Sequence, residues 1–125
     1  MGYSINNLYV FKQAHLFVLD VYKATKDFPD FEKFGLSSQF QRAAVSIPAN
    51  IAEGSKKLTK ADKLRFMNIA QGSLEECRYY ILLSKDLQYT SAEAYTFLNN
   101  KIEELSKILN AFIKGIVSHD FSKEV

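Results

Sequence analysis

Punctuation is scarce in this chain. Five glycines and two prolines among 125 residues leave few places for the backbone to reverse, which favours a few long helices over many short strands. The first expectation is therefore an all-α fold. With 47% hydrophobic and 24% charged residues, the chain suits one domain, residues 1–125, that buries roughly two-thirds of its unfolded surface. The single Cys77 cannot form an intramolecular disulfide, and no basic N-terminal end leads into a long apolar stretch. These features point to a cytoplasmic protein without a secretory signal or a membrane span.

Apolar spacing divides the chain into four helical segments. From about Asn7 to Asp27, Val10, Ala14, Phe17, Val18, Val21 and Phe28 recur at helical steps, and Pro29 ends the run. Leu8, Phe11, Leu16 and Leu19 lie off that stripe and are too many for a helix with one wet face. They imply a second buried face, an oligomer interface. The second segment, Leu36 to Ser55, carries Leu36, Phe40, Ala44, Ile47 and Ile51 straight through Pro48. An interior proline costs about 3 kcal/mol, so the alternatives are one helix kinked at Pro48 or a new helix starting near Ser46, and the unbroken stripe favours the kink. Gly54 reads as a helix-ending residue, and Gly72 with Ser73 as a close-packing point.

Thr59 with Asp62, ahead of Leu64, Met67, Ala70, Leu74, Cys77 and Ile81, reads as a capped third helix reaching about Leu87. Thr90 with Glu93 repeats the capping pattern before Leu98, Ile102, Leu105, Leu109, Phe112 and Ile116, the cleanest amphipathic stripe in the chain. Short connections between the last three segments make neighbours antiparallel, giving an up-down-up-down four-helix bundle.

The net charge of +2 is concentrated in the middle. Between Ser55 and Arg65, Lys56, Lys57, Lys60, Lys63 and Arg65 face one acid, Asp62, a pattern that reads first as a solvated loop and first helical turn, with phosphate contact as the functional alternative. Ser46, Asn50 and Glu53 lie at steps of four and three. With Arg42 they read as a polar strip that supplies hydrogen bonds beside the proline, Glu53 pairing with Arg42 or Arg78; a binding site is the minority alternative. His15 and His119 have no ligand-spaced neighbours, so no metal site is expected, and no cofactor motif occurs. Cys77 sits on an apolar stripe as a small hydrophobe, and Glu75-Glu76 reads as a wet helix edge rather than an acid-base pair. An enzyme is not expected.

Residue order goes further than composition. "FPDFEKFGLSSQFQRAAVSIPANIAEGS" from Phe28 to Ser55 and "RFMNIAQGSLEE" from Arg65 to Glu76, with Ala14 and Val21-Tyr22, resemble the four helix bundle protein family, also known as intervening-sequence proteins of large-subunit ribosomal RNA. The resemblance covers nearly the whole chain; Phe11 stands where relatives usually carry tryptophan. It implies a left-handed four-helix bundle that assembles into a ring, typically a pentamer, with no established enzymatic activity. One branch of relatives partners a reverse transcriptase and presents a basic surface to nucleic acid. The expected partners are thus other copies of this chain, RNA or DNA, and such an enzyme. The alternative is a protein-interaction scaffold that touches no nucleic acid.

Overall fold

A computed structural model describes residues 8–119. Four α-helices account for most of them: α1 (Tyr9–Thr25), α2 (Leu36–Ser55), α3 (Lys60–Asp86) and α4 (Ala92–Ser118), with a single 3₁₀ turn (Asp30–Glu32) between α1 and α2. No strand occurs among the described residues. The helices pack as a four-helix bundle around one core, with the broadest contact between α2 and α3 and a narrower one between α1 and α4.

The expected stripes build that core. Val10, Ala14, Phe17 and Val21 of α1 meet Phe40, Ala44, Ile47 and Ile51 of α2, Met67, Ala70, Leu74 and Cys77 of α3, and Leu98, Ile102, Leu105 and Leu109 of α4, all buried. Each large aliphatic or aromatic side chain taken fully out of water contributes about 1.5–3 kcal/mol, so these stripes are the dominant stabilising term. Phe28 is buried too, but from the loop after α1, because the helix ends at Thr25. Thr25 Oγ1 donates to Val21 O at 3.0 Å and accepts from Gln41 Nε2 at 2.9 Å, which joins the end of α1 to α2.

One uninterrupted helix passes through Pro48. Near its end, Gly54 is a contact point rather than a stop signal. A Cβ placed there would lie 2.6 Å from Met67 Cε and 2.7 Å from Phe66 Cβ, so only glycine lets α3 approach this closely. Gly72 has open space around it and needs no such explanation, whereas its neighbour Ser73 is buried.

Helix ends follow local chemistry. Thr59 Oγ1 accepts from the Asp62 amide at 3.1 Å, as expected for the start of α3. At the start of α4 the cap is Ser91, not Thr90: Ser91 Oγ accepts from the Ala94 amide at 3.0 Å. The one-residue shift arises from how α3 stops. Gln88 adopts φ 62°, its amide donates to Lys85 O at 2.9 Å, and the Tyr89 amide donates to Ser84 O at 2.8 Å. That paired closure is a Schellman motif, with glutamine where glycine is usual. Thr90 then turns inward, and its hydroxyl oxygen is buried without a hydrogen-bond partner.

Candidate functional site

Two lysine hydrogen bonds to backbone carbonyls, one of them long-range, gather the basic segment at one end of the bundle. Lys60 Nζ donates to Val117 O at 2.6 Å, and Lys63 Nζ donates to Ser55 O at 2.9 Å. The end of α2, the start of α3 and the end of α4 therefore meet there. Free carbonyls at a helix C-terminus carry the negative end of the helix dipole, so a lysine on each is favourable. Cations in the first turn of α3 oppose that helix's own dipole, yet Lys60 and Lys63 serve the ends of its two neighbours.

The remaining cations have different surroundings. Lys57 Nζ lies 5.1 Å and the Arg65 guanidinium 4.7 Å from the centre of the nearly buried Phe66 ring, an arrangement that favours charge over the aromatic face. Arg65 also pairs with Asp62 at 3.5 Å, a solvent-exposed contact of small energetic value. Lys56 is exposed at the α2 C-cap, and beside it Leu58 is 91% exposed. All five predicted cations thus share one end of the molecule, but two of them are committed to backbone carbonyls.

The predicted polar strip divides. Asn50 Nδ2 donates to Ser46 O at 2.8 Å and to Ser46 Oγ at 3.0 Å, and Ser73 Oγ donates to Ser46 Oγ at 2.8 Å, linking α2 to α3. Glu53 is exposed and pairs with neither arginine. Arg78 instead bonds Glu75 at 3.0 Å and Glu103 on α4, because those carboxylates lie one turn away and directly across the interface. Arg42 and Ser46 line a groove between α2 and α3 with Gln39, Ser73, Glu76 and Tyr80. The α3 half of that groove was missed in the sequence; Glu76 and Tyr80 are four apart and share a helix face, a signal that becomes informative only once α2 is known to face them.

The predicted interface residues also divide. Leu16 and Leu19 are 47% and 49% exposed, whereas Leu8 and Phe11 are half-buried against the core. Tyr9 and Tyr22 extend the exposed stripe of α1 at 59% and 47%. His15 is exposed, its ring parallel to that of Phe11 with 6.5 Å between centres. Cys77 is buried, and burial raises its thiol pKa far above the ordinary range. Among the described residues, no three His, Cys, Asp or Glu side chains cluster as metal ligands. No helix among them is long and apolar enough to cross a membrane.

Four helices around one core, with a basic end and a polar seam between α2 and α3, define an all-helical protein of the four-helix-bundle class. The chain belongs to the 23S rRNA-intervening sequence protein family, whose sequence pattern it matches over residues 6–111. It is also similar to a protein of unknown function from the S23 ribosomal protein family of Bacteroides thetaiotaomicron, known from a crystal structure. The two share 30% identity with a TM-score of 0.75, over 84% of this chain and 98% of that one. No curated protein matches the chain.

Proposed function

We propose that this is a non-enzymatic, self-associating binding protein whose basic end contacts RNA or DNA. The observation that carries the reading is the outer face of α1, where Tyr9, Leu16, Leu19 and Tyr22 stay about half exposed on a helix whose other face is already buried. Covering the exposed part of each would gain on the order of 1 kcal/mol, a favourable contribution to holding copies together. The family resemblance implies a ring of five. Closure would repeat the basic end around the ring, so that weak single contacts add.

Within each copy the helices run up-down-up-down as an antiparallel, left-handed bundle. Two sets of contacts support the alternation: Lys60 to Val117 at one end, and Tyr89 against Phe28 and Glu32 at the other. Handedness follows from the family resemblance. Because the family's description refers to an intervening sequence of 23S rRNA, RNA is the first ligand to test, and a reverse transcriptase or another nucleic-acid enzyme is the expected protein partner, in the cytoplasm.

The test combines light scattering with binding of labelled structured RNA and duplex DNA across a salt series. Lys56→Glu with Lys57→Glu is the appropriate variant, because Lys60 and Lys63 also hold helix ends. Steeply salt-dependent affinity that the variant loses supports phosphate contact; a monomer, or no binding at low salt, contradicts the corresponding half of the proposal. A second reading, a protein scaffold without nucleic acid, is favoured by the engagement of Lys60 and Lys63 with backbone carbonyls. It gains if the oligomer forms and neither nucleic acid binds.

A further inference from the structure

The groove between α2 and α3 has a volume of about 410 Å³ and lies away from the basic end. Contacts across it define three levels. At one end Ser46 and Ser73 bond each other, and at the other Gln39 faces the Tyr80 hydroxyl at 3.4 Å. Between them Arg42 on α2 and Glu76 on α3 stand on opposite walls. They do not pair with each other. Arg42 has no hydrogen-bond or ion-pair partner among the described residues, and Glu76 receives only a long contact, 3.5 Å, from Tyr80.

A planar guanidinium and a carboxylate that face one another unpaired can accept a guest between them. That guest must offer an acceptor pair to Arg42 and a donor pair to Glu76. Among nucleobases, guanine carries both: O6 and N7 on one edge, N1–H and N2–H on another. Its flat ring also suits an open surface groove with an aromatic side chain, Tyr80, at one end. The Ser46-Ser73 pair, held in turn by Asn50, fixes one end of the groove, while the exposed Arg42 and Glu76 side chains become ordered on the guest. Ser46 on α2 and Lys56 at its C-cap are ten residues apart, about 15 Å along the helix axis, a span that a few nucleotides of single strand can cover.

We propose that this groove reads an unpaired guanine of single-stranded RNA, with Arg42 on O6 and N7 and Glu76 on N1–H and N2–H. The assignment rests on the nucleic-acid reading above and adds base selectivity to it. Arg42 and Glu76 give selectivity, while Lys56 and Lys57 give affinity without regard to sequence.

The test uses the full-length protein and labelled nine-nucleotide RNAs of uridine carrying one central guanine, inosine, adenine or uridine. Wild type should prefer guanine about tenfold over adenine, with inosine intermediate because it lacks the N2 amino group. Glu76→Gln and Arg42→Gln should each bring the preference within about twofold. Lys56→Glu with Lys57→Glu should weaken all four RNAs alike and leave the preference intact. Salt-dependent binding with no guanine preference would overturn the groove assignment and leave the nucleic-acid reading standing. A preference that survives both groove variants would also overturn it. Absence of binding to all four RNAs at low salt would remove both.

Discussion

Lys60 Nζ donates a 2.6 Å hydrogen bond to the carbonyl oxygen of Val117, tying the first residue of α3 to the last turn of α4. Lys63 does the same for the end of α2 through Ser55 O. A charge pattern that suggests a ligand surface is therefore in part a clamp on helix ends. Lys60→Met keeps the aliphatic stem and removes the charge and the bond. It should cost about 0.5 kcal/mol, seen as a lower melting temperature and faster amide exchange in the last turn of α4.

Gly54 faces the opposite constraint. A methyl group there meets Phe66 Cβ at 2.7 Å and Met67 Cε at 2.6 Å, and although the methionine end can move, Phe66 Cβ is fixed to the α3 backbone. Gly54→Ala should gain helix propensity of up to about 1 kcal/mol yet lose more by forcing α2 and α3 apart. The expected net result is destabilisation of about 1–2 kcal/mol in urea unfolding, while Gly72→Ala, with open space around it, should stabilise.

Gln88 is the one non-glycine residue with positive φ among those described. A side chain in that region costs about 1–2 kcal/mol relative to glycine, offset in part by the extra freedom glycine has in the unfolded chain. Gln88→Gly should raise stability by about 0.5–1 kcal/mol in thermal unfolding, and Gln88→Val should lower it.

Glu32 links three segments: its Oε1 accepts from the Leu36 amide at 3.0 Å and its Oε2 from the Tyr89 hydroxyl at 2.7 Å. Those bonds, the backbone one first, hold its carboxyl below the ordinary glutamate range. A depressed folded-state pKa contributes stability that is present above the unfolded value and lost as pH falls through the folded one. Glu32→Gln should flatten the acid limb of a stability-versus-pH curve, as pH falls through and below the ordinary glutamate range, relative to wild type. An unchanged limb would mean that these bonds do not hold in solution.

The stripes at three- and four-residue spacing marked the core because each helix has only one face that can leave water. Leu36 through Ile51 could therefore be followed across Pro48 without knowing what they touch. Chemistry confined to a few neighbouring residues was equally legible, as with the Thr59 cap. Ser91 was missed in favour of Thr90 because the exact start of α4 depends on how α3 unwinds at Gln88.

Helix number, approximate length, buried faces and family membership are legible in the residues alone, since these rest on period and on residue order. The use of each polar side chain came from the packing of the helices: Lys60 turned to a carbonyl distant in the chain and Lys63 to the end of the preceding helix, Arg78 to Glu103 rather than Glu53, and Arg42 to a groove shared with Glu76. The physical reason is that apolar burial is non-directional and needs only a face, whereas a hydrogen bond or an ion pair requires a particular atom within about 3 Å. The partner of each polar group is therefore set by which helix lies beside it, at a distance along the chain that no local pattern records.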